Sequence, residues 1–193
     1  ILITGSAGSI GSEIVRQVAS FSPSSLMLID SAETPQHDIR RMMAHDFPSV
    51  PCATVVTSIT KADRMENIFK TFLPEYVFHA AAYKHVPMME DNPCESIQNN
   101  VLGTKILADL SVKYGVRRFV MVSTDKAVNP TNVMGCSKRI CEVYVQSLNK
   151  AERDGVVKGQ TQFITTRFGN VLGSNGSVIP IFKRQIKAGG PVT

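Results

Sequence analysis

Gly5, Gly8 and Gly11 punctuate the run Thr4-Gly5-Ser6-Ala7-Gly8-Ser9-Ile10-Gly11 with a spacing suited to holding a pyrophosphate. Glycine at these three points permits a tight turn, lets phosphate oxygens approach bare backbone and lets the next helix pack close to the strand before it. A helix N-terminus beyond the turn adds free N–H groups and the positive end of its dipole. Gly5, Ser6, Gly8, Ser9, Ile10 and Gly11 are therefore the expected dinucleotide contacts, with the pyrophosphate over residues 8–10. Asp30 stands 25 residues after Gly5, where a carboxylate accepts hydrogen bonds from the adenosine ribose, although Asp also starts ordinary turns. That carboxylate repels a 2′-phosphate, so the expected cofactor is NAD or NADP, with NAD slightly favoured. Arg40 and Arg41 come too late to be assigned to such a phosphate. A second pair, Asp125-Lys126, sets an acid beside a base. Such neighbours transfer protons when their surroundings hold them in opposite protonation states. Taken alone, the two residues ahead of Pro130 read first as a surface turn.

The elements that must position these residues alternate along the chain. Short apolar runs at 1–4, 25–30, 53–57, 76–80, 118–123 and 162–168 read as buried strands. Helical spacing fills 9–19, 36–45, 61–72, 94–114, 133–151 and 178–187. Strands that are nearly continuous in apolar residues are covered on both faces, as in parallel sheets. Repeated strand–helix–strand units imply an α/β fold, a doubly wound parallel sheet of the NAD(P)-binding Rossmann type with strand order 3-2-1-4-5-6. The glycine turn then lies where it should, between the first strand and the first helix.

Composition narrows the function classes. The 193 residues suit one domain spanning 1–193, and 43% apolar with 19% charged residues is ordinary for a globular chain. No apolar window is long enough to span a bilayer, and no secretory leader opens the chain. The start on Ile1-Leu2-Ile3 and the close on Gly189-Gly190-Pro191-Val192-Thr193, a turn leading toward a strand, suggest a piece of a longer protein. The net charge of +5 is scattered, without the basic stripe and interleaved aromatics of a nucleic-acid binder, and suits anionic small ligands. Cys52, Cys94, Cys136 and Cys141 form no CxxC pair and no metal-ligand spacing with histidine. They read as reduced packing residues of a cytoplasmic protein, and no metal site is expected.

Four longer motifs sharpen the reading. His79-Ala80-Ala81-Ala82-Tyr83-Lys84-His85-Val86-Pro87 follows the fourth strand, and Asn100-Val101-Leu102-Gly103-Thr104 lies in the next helix. The run from Ser123-Thr124-Asp125-Lys126 through Asn129-Pro130-Thr131-Asn132-Val133-Met134-Gly135 follows the fifth strand. Arg167-Phe168-Gly169-Asn170-Val171-Leu172-Gly173-Ser174 follows the sixth. In this order they resemble the polysaccharide-biosynthesis, CapD-like family of nucleoside-diphosphate-sugar epimerases and dehydratases, within the extended short-chain dehydrogenase/reductase superfamily. The likeness covers essentially the whole chain.

What the resemblance implies is a reaction on a UDP-sugar. Superfamily members flank the nicotinamide with a Ser and a Tyr-x-x-x-Lys unit; Ser123 and Lys138 match the Ser and Lys, while Met134 takes the Tyr position. Methionine neither takes nor gives a proton. The Asp125-Lys126 pair is similar to that of the long, often membrane-attached branch acting on UDP-N-acetylglucosamine, which also has Met at that point. In that branch C4 is oxidised by NAD(P), Lys126 would remove the C5 proton, Asp125, kept protonated, would donate to the departing C6 hydroxyl, and hydride would return to C6. A base of this kind must be neutral, which desolvation or the neighbouring Lys138 charge favours. Thr124 and Ser123 would reach the C4 oxygen, Lys138 the nicotinamide ribose, Ala80, Ala81, Ala82 and Asn100 the cofactor side, and Lys84 and Asn170 the substrate. His79 is expected as a packed strand-end residue near the adenosine. Ser58 replaces an Asp that usually contacts adenine. Most of the smaller carboxyl-terminal substrate lobe of the family would lie outside these residues. Two other readings stay open: a C4 or C5 epimerase, and a binding module that senses NAD(P) without chemistry. The sequence leaves open a homo-oligomer and a membrane anchor ahead of Ile1.

Overall fold

The computed structural model describes residues 1–173 and 178–192; Ser174 and Thr193 of the motifs above lie outside the described residues. Six parallel strands form one sheet: β1 (Leu2–Thr4), β2 (Leu26–Asp30), β3 (Cys52–Val56), β4 (Tyr76–His79), β5 (Arg118–Thr124) and β6 (Gln162–Phe168). Their order is β3-β2-β1-β4-β5-β6, as the alternation of apolar runs implies. The order reverses at β1, whose last residue, Thr4, pairs with Ile29 on one side and His79 on the other. Ligands of open α/β sheets bind outside the carboxyl ends of the strands at such a reversal.

Alternate side chains of each strand go to opposite faces, so Leu2 and Ile3 join separate cores. On one face Val15 and Ala19 of α1 (Ser9–Ser20) and Ile39 and Met43 of α2 (Glu33–Asp46) cover Ile3 and Leu28. On the other, Met65 and Phe69 of α3 (Ala62–Phe72), Leu107 of α6 (Gly103–Lys113) and Val145 of α7 (Val133–Arg153) cover Leu2, Val77, Phe119 and Met121. Each fully buried Leu, Ile or Phe contributes about 1.5–3 kcal/mol, which is why these short strands hold without water on either face. The last helix, α8 (Val178–Lys187), begins where its apolar spacing places it.

Three features depart from the sequence reading. The expected helix over 94–114 is broken into α5 (Pro93–Ser96), a π-helical turn (Ile97–Leu102) and α6. The widened turn leaves the Asn100 carbonyl accepting from Cys141 Sγ at 3.1 Å, and such π-turns favour functional sites. A short helix, α4 (Val86–Asp91), starts on Pro87, which suits a first turn. Only Cys141 among the free cysteines is a buried packing residue; Cys52, Cys94 and Cys136 are exposed, their helix or strand faces pointing outward. Among the described residues no helix is long and apolar enough to cross a membrane.

Candidate active site and dinucleotide groove

The carboxyl ends of β1, β2 and β4 enclose a groove of about 270 Å³ lined by Gly5, Gly8, Asp30, Ser58, Ala80, Ala81 and Ala82 among others. Gly5 sits at φ +69°, and a Cβ there would lie 2.5 Å from the Ala81 nitrogen, so the turn packs directly on the β4 exit. At Gly11 a Cβ would meet the Gly5 carbonyl oxygen at 1.8 Å. Gly8 differs: its nearest neighbour would be Gly5 O at 3.4 Å, ordinary contact, so the space above it is open. No side chain caps α1, whose N-terminus at Gly8 faces that space. The two outer glycines therefore build the turn, and the middle one admits a ligand.

The polar side chains of this half brace the turn. Ser6 is fully buried; its Oγ donates to Gln36 Oε1 at 2.8 Å, and Gln36 Nε2 donates to Leu28 O at 2.8 Å. Ser6, expected as a cofactor contact, thus turns its side chain inward, because the buried Gln36 needs a partner. Asp30 accepts from Ala7 N–H at 3.0 Å and Ala32 N–H at 2.9 Å, which ties β2 to the turn and leaves further lone pairs toward the groove. Ser58 Oγ accepts from Thr60 N–H at 3.2 Å and rests at the groove wall. Neither Arg40 nor Arg41 lines the groove.

His79 is packed at the strand end, as expected, yet not at the adenosine side. Its two ring nitrogens share hydrogen bonds with Thr4 Oγ1 (2.8 Å) and Thr104 Oγ1 (2.9 Å), and it lines no part of the groove. Burial, with the Lys138 charge adding to it, brings His79 down to about 3, so the ring is neutral. Asn100 is also corrected. It is 1% exposed. Its Oδ1 accepts from Tyr83 N–H at 2.8 Å, and its Nδ2 donates to Tyr83 O and Ser137 Oγ, both at 3.0 Å. Asn100 fixes the loop after β4 against α7 and shows no donor or acceptor turned to a ligand; the π-turn that presents it is why.

The ends of β5 and β6 assemble the other half. Thr124 Oγ1 donates to Asp125 Oδ1 at 2.9 Å, Lys126 Nζ donates to the same oxygen at 3.2 Å, and a long contact of 3.5 Å joins Lys126 Nζ to Asn170 Oδ1. These bonds, from Thr124 first and then Lys126, hold the Asp125 carboxyl below the usual carboxylate range. The expected protonated Asp125 does not suit these contacts, because the neighbours that reach it are donors. Nor is Lys126 desolvated; its side chain is 39% exposed. The buried lysine is Lys138, with no hydrogen-bond partner among the described residues, and burial pushes its ammonium below the ordinary range. Ser123 Oγ is buried and without a partner of ordinary geometry. Met134 is 3% exposed, packed at the start of α7. Lys84 is exposed on the loop entering α4.

Several positioning residues carried only weak signals in the sequence. Asn132 Oδ1 caps α7 through Gly135 N–H at 2.8 Å, and Glu90 Oε1 of α4 accepts from Val133 N–H at 2.7 Å. An Asn just ahead of a helical pattern is a start signal, whereas Glu90 comes from an unexpected helix. A Cβ on Gly135 would stand 2.3 Å from the Lys126 carbonyl, so this glycine lets α7 seat the one-turn 3₁₀ segment Asp125–Ala127.

A dinucleotide fits the residues present: an open glycine over an uncapped helix N-terminus for the phosphates, Asp30 at the ribose end, and the buried Lys138 and Ser123 at the far end. At 48% identity the chain is similar to the capsular polysaccharide biosynthesis protein CapD of Staphylococcus aureus, covering all of this chain and 31% of that protein. It is 35% identical to an inverting UDP-N-acetylglucosamine 4,6-dehydratase of Campylobacter jejuni, covering 100% of this chain and 56% of the relative. Among solved structures, the Thermus thermophilus UDP-glucose 4-epimerase in complex with NAD superposes with a TM-score of 0.79 at 25% identity, over 99% of this chain and 63% of the other. The chain thus spans between about a third and somewhat over half of these curated relatives. The family model described as polysaccharide biosynthesis protein matches residues 1–193, and the chain belongs to that family.

Proposed function

We propose that these residues form the NAD(P)-binding part of a UDP-N-acetylglucosamine 4,6-dehydratase of surface polysaccharide synthesis, with NAD favoured over NADP by Asp30. The observation that carries this reading is the Asp125–Lys126 pair at the strand ends that also carry Ser123, with the buried Lys138 on the helix that follows. An inactive sensing module would have no use for an acid and a base set side by side at the end of β5. A dinucleotide held by the glycine turn, Asp30 and Lys138 would supply the hydride acceptor for C4 and the hydride donor for C6. Asp125 enters as a carboxylate, so it accepts the proton of the C4 hydroxyl, the task for which Met134 is unfit. That transfer leaves Asp125 protonated, as the next step requires. Lys126, having given one proton to solvent and acting as the neutral amine, removes the C5 proton that the C4 ketone has made acidic. Asp125 returns its proton to the departing C6 hydroxyl, which leaves as water, and Lys126 reprotonates C5. The sum is loss of one water with the cofactor regenerated. Ser123 and Thr124 hold the C4 oxygen, Lys138 the nicotinamide ribose, and Lys84 and Asn170 the nucleotide sugar.

The relatives also include an epimerase, and ketone formation is common to both reactions. The test is incubation of the full-length parent protein with UDP-N-acetylglucosamine in deuterated water, read at C4, C5 and C6 by NMR. Dehydration places deuterium at C5 and converts C6 to a methyl group; an epimer that keeps its C6 hydroxyl establishes the second reading instead. Asp125→Asn and Lys126→Ala abolish the methyl signal with cofactor binding intact, and product at the unsubstituted rate from either variant rejects the assigned roles. The 193 residues alone are expected to bind NAD(P) yet turn over the sugar poorly, because the family's substrate pocket is shared with a further lobe.

A further inference from the structure

Glu142 takes no part in the chemistry above, yet it is fully buried in α7, one helical turn beyond Lys138. Its carboxylate is gripped from two elements. Arg167, near the end of β6, donates through Nε to Oε1 at 2.8 Å and through Nη2 to Oε2 at 2.6 Å, a bidentate pair. Arg139, three residues back on α7, adds Nη1 to Oε2 at 3.0 Å. Burial pushes the carboxyl up, but Arg167, the Ser123 hydroxyl at longer range and Arg139 bring it down to about 2, so it is charged. Arg167 pairs in register with Ser123 across the sheet. Just beyond Arg167, a Cβ on Gly169 would lie 4.0 Å from Asp125 Oδ2, and Asn170 reaches Lys126 Nζ. One carboxylate therefore links the helix bearing Lys138 to the β6 exit that borders the acid–base pair.

We propose that Glu142 is a positioning residue for the sugar side of the site: by fixing Arg167 bidentately it sets the β6 exit, and with it Gly169 and Asn170, against Asp125 and Lys126. Stability alone does not account for this arrangement, since apolar residues of similar volume replace a buried ion pair without loss or with gain. What they lack is the directional fork of two parallel bonds. Only the kinetic arm of the test rests on the dehydratase reading.

The test compares Glu142→Gln, Arg167→Lys and the double replacement Glu142→Met with Arg167→Met in the full-length protein. Amide exchange is followed at 125–127, at 166–168 and in the glycine turn at 5–11, with the unfolding midpoint and the split of kcat against KM. Glu142→Gln is expected to speed exchange about tenfold, the loss of one charge-assisted bond, in the first two segments and to leave the glycine turn and NAD affinity unchanged. In the same variant kcat falls more than KM changes. The double Met variant is expected to regain the unfolding midpoint without regaining protection at 166–168 or kcat. Restored protection and turnover in that variant, or exchange that rises uniformly across the sheet, would overturn the proposal and leave Glu142 a packing residue. If the unsubstituted protein makes no dehydrated sugar, the dehydratase reading fails, while the exchange pattern still decides the role of Glu142.

Discussion

The two ends of the cleft solve the same problem with different parts of the chain. Around the β1–α1 turn, side chains serve the backbone: Ser6, Gln36 and Asp30 are engaged in holding the loop, and the surface left open to the groove is glycine. Around β5 and β6 the order is inverted. Backbone elements are locked by Asn100, Asn132, Gly135 and Glu90, and polar side chains stand exposed, like Asp125 and Lys126, or buried, like Ser123 and Lys138. A ligand whose phosphates are always the same is held well by N–H groups at a helix end. Chemistry needs groups that change protonation, and Asp125 and Lys126 hold each other where both stay partly exposed.

The contrast can be broken first at the glycines. Gly11→Ala should destabilise the fold by about 3 kcal/mol or more, because its Cβ falls on the Gly5 carbonyl and backbone there cannot yield. Denaturant titration measures this, and a loss below half that size would mean the turn is looser than drawn. Gly8→Val, at the open position, should leave stability within about 1 kcal/mol yet weaken NAD about a hundredfold in calorimetry, through one or two lost phosphate bonds. Equal affinity in that variant would remove the pyrophosphate from residues 8–10. On the other side, Lys138→Met should raise stability by about 1–3 kcal/mol while abolishing turnover, since it removes a desolvated, unpaired charge. A stability loss there would show that the ammonium has a partner in the folded protein.

The smallest effects are those of pH. His79 has its folded value depressed from 6.5 to about 3, so its contribution is fully present above pH 6.5 and is lost as pH falls toward 3. Glu142, depressed from 4.5 to about 2, contributes above pH 4.5 and loses that contribution as pH falls toward 2. Stability should therefore decline in two steps on acidification. His79→Gln should flatten the upper step alone in urea midpoints taken from pH 7 to 4; an unchanged slope would mean the ring is not the group that titrates.

Local pattern carried much of this protein. Apolar runs of strand length, helical spacing between them and glycine at 5, 8 and 11 determine the parallel sheet, its order and the place of the phosphate turn, because each follows from a neighbour-to-neighbour rule. Asp125, Lys126 and Asn170 converge as the motifs imply, since each follows a strand end on the same edge of the sheet. What sequence could not decide is which polar side chain faces the cleft and which faces the protein. Ser6 and Asn100 turned inward because Gln36 and the Tyr83 backbone, distant in sequence, required partners there. Asp125 was charged because Thr124 and Lys126 donate to it, and Lys138 rather than Lys126 was desolvated because it lies on the buried face of α7. Hydrogen-bond satisfaction and burial are sums over contacts between remote segments, and they exist only once the chain has folded.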